Sequence, residues 1–208
     1  VDKGDLLKMT KGTVVENYKL VEMENLKQEI ESLPEISKEG KTKITIDHCF
    51  DVKGAGTVIL GRANQGEIKQ YDNLKLLPEG IDVMVKSIQM HDDTVAEAIS
   101  PARVGLSVKG ISADDVQRGD VLCTPDSMKV SQEITLKYSQ NKYFREELRE
   151  NQAVLVSIGL QAKAARILSL NPMRLSLAKP AAFDEGDICV VLRPESQMMR
   201  IVGSGKII

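Results

Sequence analysis

Ile46-Asp47-His48-Cys49-Phe50-Asp51-Val52-Lys53-Gly54-Ala55-Gly56-Thr57-Val58-Ile59-Leu60-Gly61 is the stretch that decides how the rest of this chain is read. Two apolar runs rich in β-branched residues, 44–52 and 57–61, meet at a Gly-Ala-Gly, so the stretch reads as strand, tight corner, strand. Glycine at such a corner allows backbone angles closed to other residues and leaves the main chain open to close approach. By itself this is a barrel corner. A dinucleotide-binding loop is excluded, because the third glycine of that fingerprint is missing and the segment leads into a strand where the fingerprint needs a helix.

Downstream, turn signals recur at regular intervals: Asn64-Gln65-Gly66, Asp72-Asn73, Pro78-Glu79-Gly80, His91-Asp92-Asp93, Gly110 and Gly119-Asp120. Short strands between such signals, with almost no helical period, predict a closed antiparallel barrel over 41–126. Ser112-Ala113-Asp114-Asp115 predicts one capped helical turn. After Pro125-Asp126-Ser127 the strand pattern resumes at 128–138. A charged loop follows at 141–151, then apolar runs at 153–159, 161–170, 173–177, 188–192 and 198–202, which predict a second barrel over 127–208. The Gly-Asp-aliphatic turns at 119–121 and 186–188 are shared turn chemistry, not a repeat.

Residues 1–40 differ. Leu6 to Val15 reads as a short apolar strand entering a turn. From Glu16, Met23, Leu26, Ile30 and Leu33 recur three or four apart up to Pro34, which predicts an amphipathic helix with one buried stripe. Pro34 to Lys43 reads as a linker. The fold class is therefore mainly β: two antiparallel β-barrels in tandem, preceded by a short strand-helix piece.

Composition narrows the function classes. Its 208 residues can bury a workable core. Cys49, Cys123 and Cys189 are scattered and lack metal-ligand spacing, which argues against disulfides and a metal site and for a reducing, cytoplasmic setting. No run approaches the ~20 apolar residues that span a bilayer, so no membrane partner is expected. The chain starts at Val1, which suggests a fragment, and a monomer is expected. The net charge of −2 hides a gradient: 6 basic against 9 acidic residues in 1–40, 10 against 13 in 41–126, and 12 against 8 in 127–208. Aromatics are few and Trp is absent, so no base-stacking platform is expected. Asp92-Asp93 and Asp114-Asp115 read as turn formers, and His48 and His91 have no triad partner. No catalytic residue is assigned.

Ile46-Asp47, Phe50, Val52 to Val58, Gly61, Gly66-Glu67-Ile68 and Asp72 resemble the opening of the second domain of translational GTPases of the EF-Tu family. The similarity is greatest to the archaeal selenocysteine-specific factor, SelB. It continues through Val85-Lys86-Ser87-Ile88-Gln89, Val95 to Ala98, Arg103 to Leu106, Gly110-Ile111 and Val116 to Leu122. Lys179-Pro180, Glu185 to Ile188 and Arg200 to Ile207 resemble the close of the family's third domain. The resemblance implies domains II and III, with residues 1–40 as the end of a GTPase domain. Thr10-Lys11-Gly12-Thr13 then stands where the family has Asn-Lys-x-Asp, and Thr13 lacks the carboxylate that pairs with guanine. No Gly-x-x-x-x-Gly-Lys-Ser/Thr loop is present to cradle phosphates. GTP and Mg are therefore expected for an intact parent only, not for this chain.

The partners implied by the resemblance are aminoacyl-tRNA and the ribosome. Phe50, Val52, Gly54 and Ala55 on the first corner, with Gln89 on a strand facing it, match the positions that clamp the tRNA 3′-adenosine. Asp47, His48 and Arg103 match the pocket for the charged amino acid, where His48 replaces an arginine. That change weakens the case for an anionic selenolate and leaves room for a thiol-bearing residue. A plainer alternative makes Asp47 and Arg103 an inter-strand ion pair with His48 on the surface. Lys142, Arg145, Arg149, Lys163, Arg166, Arg174, Lys179 and Arg200 supply candidates for the tRNA backbone. Two rival functions share the fold. One is a nucleotide-independent derivative that docks on a ribosome or protein; the other is an initiator-tRNA carrier, against which the combination of Asp47 and Arg103 speaks.

Overall fold

The computed structural model describes residues 2–13, 15–34, 36–54, 56–197 and 199–208. Residues 1–36 form one compact unit and 37–208 another.

The first unit departs from the sequence expectation. The predicted strand at Leu6–Val15 is instead helix α1 (Lys3–Thr10), whose Asp2 side chain accepts from the Gly4 N–H. Leu6, Leu7, Lys8 and Met9 are good helix formers and none is β-branched, so local preference outweighs the apolar run. Val14 lies outside the described residues. The predicted helix after Glu16 shrinks to a 3₁₀ turn at Met23–Asn25 and α2 (Leu26–Glu31), because Glu22 is still extended. Its expected buried stripe is absent: Met23, Ile30 and Leu33 are exposed and no residue of α2 is buried. Thr10, Lys11 and Thr13 close α1 rather than follow a strand, and the Thr13 hydroxyl donates to the Thr10 carbonyl at 2.6 Å.

Among its described residues the second unit holds fifteen strands. The first nine are β1 (Lys43–Val52), β2 (Gly56–Gln65), β3 (Glu67–Lys69), β4 (Asn73–Leu77), β5 (Ile81–Met90), β6 (Asp93–Val95), β7 (Glu97–Ile99), β8 (Ala102–Lys109) and β9 (Val121–Cys123). They pair in the order β4-β9-β1-β2-β8-β5, and β4 pairs again with β5, which closes a six-stranded antiparallel barrel. β6 extends from β5, and β3 with β7 makes a separate ribbon. Alternation along each strand sends Ile44, Ile46, Ile59, Leu76, Val85, Ile88, Leu106 and Leu122 into one core. Each such side chain contributes about 1.5–3 kcal/mol by burial. The predicted capped turn is present as a 3₁₀ turn at Ala113–Asp115, with Ser112 and Asp115 completing a capping box.

The remaining strands are β10 (Lys129–Gln140), β11 (Ala153–Ile158), β12 (Gln161–Leu170), β13 (Met173–Phe183), β14 (Ile188–Leu192) and β15 (Ile201–Ile207). They close a second barrel in the order β10-β13-β12-β11-β14-β15 around Leu136, Val156, Ile167, Met173, Leu175 and Val191. The charged segment 141–151 is a loop, anchored by buried Phe144.

The two barrels meet along a mixed seam. Leu77, Val121 and Cys123 of the first share an apolar cluster with Ala182 of the second, with Met128 packed against it. Within the second barrel, buried Gln161 both donates to and accepts from Ala182 and so holds the Ala182 side of the seam in place. Lys43 reaches across to Asp184 at 2.9 Å and Asp187 at 2.8 Å. Gly119 sits so close to the β11–β12 hairpin that a Cβ there would lie 2.5 Å from the Leu160 carbonyl oxygen.

Candidate functional site

A cleft of about 750 Å³ opens on the outward face of the first barrel. Its floor is the stretch of β1, β2, β8 and β5 that carries Thr45, Asp47, Leu60, Arg62, Arg103, Gly105 and Gln89. The side walls are the His91-Asp92 turn, Arg118 before β9, and Gly159-Leu160 from the second barrel. It therefore needs both barrels.

Local chain geometry places the charged groups. The pairing of β1 with β2 shifts between Ile46 and His48, so Asp47 is the extra residue of a β-bulge, a device that re-aims a side chain. Its carboxylate accepts from Arg118 Nε at 2.9 Å and lies 3.3 Å from His48 Nδ1. The Arg118 guanidinium, with His48 assisting, holds the Asp47 carboxyl below the usual range. Arg62 and Arg103 face each other directly across β2 and β8, both exposed, and neither has an ion-pair partner among the described residues. Like charges opposite each other on a sheet are unfavourable. The cleft thus offers three guanidiniums against the carboxylates of Asp47 and Asp92. At its rim His91 and Asp92 both have positive φ, 51° and 69°, in the two-residue turn joining β5 and β6. Positive φ at two such residues matches the twist of a tight hairpin at some conformational cost.

Of the residues singled out in the sequence, Asp47, Arg103 and Gln89 line this cleft together. His48 does not line it; its side chain is 67% exposed and touches Asp47 from outside. An ion pair between Asp47 and Arg103 does not form, because Arg118 takes that place. Gln89 is not opposite the first corner: its row runs through Gly105 and Leu60 to His48, whereas Phe50 is opposite Val58 and Val52 opposite Gly56. Phe50 and Val52 are exposed on the same strand, about 7 and 13 Å beyond His48 at the usual strand rise. Gly54 has φ +88 and open space where a Cβ would be. Ala55 lies outside the described residues. Sequence reasoning misses Arg62 and Arg118; the adjacency of Arg118 to Asp47 is created by the entry into β9, which pairs with β1.

The basic residues of the second barrel separate. Arg166 and Arg174 point outward, Arg166 bonding the Asn151 carbonyl and Arg174 pairing with Glu133 at 3.0 Å. Lys163, three residues before Arg166 on one strand, faces the other way, toward the seam and Asp120. Arg149 pairs with Glu147, and the Lys142 ammonium lies 5.0 Å from the Tyr143 ring centre. Arg145, Lys179 and Arg200 are exposed.

Comparison with known proteins gives the lineage. The elongation factor Tu domain 2 family matches residues 56–123. An uncharacterized protein of Methanocaldococcus jannaschii is 34% identical over 213 aligned positions, covering 100% of this chain and 68% of that protein. The chain belongs to the EF-Tu family of translation factors. Within the family it is SelB-like. The selenocysteine-specific elongation factor of M. jannaschii is 29% identical over 191 positions, which cover 80% of this chain and 41% of that factor. The apo crystal structure of SelB from Methanococcus maripaludis superimposes with a TM-score of 0.78 at 26% identity, over 89% of this chain and 45% of that one. The same SelB is also known in complex with the GTP analogue GPPNHP. The chain thus spans less than half the length of these SelB proteins, and its two barrels match the fold of their domains II and III. Among the described residues no helix is long and apolar enough to cross a membrane.

Proposed function

We propose that residues 41–126 and 127–208 act as the aminoacyl-tRNA-holding domains II and III of a SelB-type elongation factor that delivers its cargo to the ribosome. The observation that carries this reading is the cleft, which gathers Asp47, Gln89 and Arg103 with Arg62 and Arg118 on one face. A pocket with a few convergent polar groups on an otherwise flat sheet suits one amino-acid side chain. The exposed Phe50 and Val52 offer an apolar strip on which the terminal adenosine can lie. The second barrel supplies cations for the tRNA backbone, read by shape and charge rather than sequence.

GTP and its Mg ion do not fit the residues present. Thr13 spends its hydroxyl on the end of α1, and the sequence has no phosphate loop. A nucleotide switch, where the whole protein has one, is held by other residues. That same degraded motif favours a second reading, in which the barrels work without nucleotide control as a ribosome- or protein-docking module.

Filter retention of charged against uncharged tRNA separates the two. Preferential retention of charged tRNA, reduced at least tenfold by Arg103→Gln, is expected. Equal retention of both forms, or none with a GTPase domain supplied, refutes the carrier reading.

A further inference from the structure

One row of the cleft floor crosses three adjacent strands: Thr45 of β1 is directly opposite Arg62 of β2, and Arg62 is directly opposite Arg103 of β8. All three side chains line the cleft. The Thr45 hydroxyl accepts from Asn64 Nδ2 at 2.7 Å, and its own proton has no acceptor among the described residues. Neither arginine has an ion-pair or hydrogen-bond partner among them either. The row is thus made of donors, with no acid in it.

Residues directly opposite on one sheet face have Cβ atoms about 5 Å apart, so the two guanidiniums repel each other. The acids of the cleft do not relieve this. Asp47 is committed to Arg118 at 2.9 Å, and Asp92 in the rim turn forms no ion pair among the described residues. An anion seated between the arginines turns one repulsion into two attractions. A guanidinium presents paired N–H groups in one plane, which match the two oxygens of a carboxylate or two terminal oxygens of a phosphate monoester. A single sulfur or selenium atom fills only part of one fork, and a neutral thiol is a weak acceptor. Gly105, two residues along β8 from Arg103, leaves the floor beside the pair without a side chain, which gives such a group depth.

We infer that the cargo of this cleft is an amino acid with an acidic side chain, a carboxylate or a phosphate monoester, held between Arg62 and Arg103 with Thr45 donating from the end of the row. The inference rests on the carrier reading and names the chemical class of its cargo, a class different from the selenocysteine for which relatives are named. Arg62 is its specificity-determining residue.

The test uses the 208-residue chain and one tRNA body charged in turn with aspartate, asparagine, O-phosphoserine, serine, cysteine and selenocysteine, with filter retention read at fixed salt. An acid should be retained at least about tenfold better than its neutral partner, because only the acid supplies the charge that two guanidiniums require. Aspartate over asparagine assigns a carboxylate; O-phosphoserine over serine assigns a phosphate. Arg62→Gln should bring the acid to within about threefold of its neutral partner and leave the neutral forms as they were. Its melting temperature should not fall, since one of two repelling charges is removed. Arg62→Lys keeps the charge but loses the planar fork, so it should recover only part of the preference. Equal retention of each acid and its neutral partner, or best retention of the cysteinyl or selenocysteinyl form, overturns the inference and leaves the carrier reading standing. So does an Arg62→Gln variant that weakens every charged form alike, which would give the arginines to the tRNA backbone. Charged forms held no better than bare tRNA would sink the carrier reading and the inference with it.

Discussion

Replacing Gly119 by alanine probes the seam that completes the cleft. Gly119 has φ +96, and a Cβ built there meets the Leu160 carbonyl oxygen at 2.5 Å, its carbon at 2.6 Å and the Gln161 nitrogen at 2.7 Å. All three are main-chain atoms inside a tight hairpin, so no side chain can swing aside. A non-glycine residue at positive φ costs about 1–2 kcal/mol, and overpacking adds about 1–3 kcal/mol. The expected loss is therefore about 2–5 kcal/mol, or about 5–15 °C in melting temperature for a chain of this size. Gly54→Ala is the matched control, because Gly54 has φ +88 but nothing within 4 Å of the point a Cβ would occupy. It should lose only the backbone part. Calorimetry of both variants gives the packing contribution by difference, and a splitting of one transition into two would report barrels melting apart. If G119A melts no lower than G54A, the barrels do not press on each other at this point and the reasoning fails.

Burial raises the Asp120 carboxyl from 3.8 to about 6, against the Gln117 N–H that favours its charge. The folded state then holds more protons than the unfolded one between these values, so stability should fall by about 3 kcal/mol as pH rises from about 4 to 6 and level off above. In Asp120→Asn that slope should vanish in denaturation curves, and its persistence would assign it to another group. Lys43 is pulled down by burial but raised overall by Asp187 and Asp184. Its stabilisation should hold below pH 10.5 and fade as pH climbs through the higher folded value. Lys43→Met strands two carboxylates, and urea titration should show a loss of about 1–3 kcal/mol; no loss would mean that solvent screens the trio completely. Arg62→Gln relieves a repulsive cross-strand pair and should gain up to about 1 kcal/mol in stability while weakening retention of charged tRNA. A variant that loses stability and keeps binding would make Arg62 structural.

The barrels are readable in the sequence because their determinants are local. Alternation in Lys43–Val52 and Gly56–Gln65 and turn residues at Gly66, Gly80 and Gly119 all act over a few positions. Closure and the cleft are not local. Asp47 meets Arg118 across 71 positions, and only the antiparallel entry into β9 brings them together. The bulge at Asp47 leaves no mark in an alternating pattern either, and it is what turns this carboxylate toward Arg118. The misread segment at Leu6–Val15 shows the converse. Four apolar and basic residues in a row, none β-branched, carry no period, and helix propensity with an Asp2 cap decides their state.

The Gly159-Leu160 hairpin supplies one side of a cleft whose other groups belong to the neighbouring barrel. Specificity built there is not modular. Exchanging one barrel for that of a relative would graft a floor beneath a foreign wall, so cargo preference should be inherited by the pair as a single cassette, and chimeras cut between Cys123 and Lys129 should lose selectivity even when both halves fold.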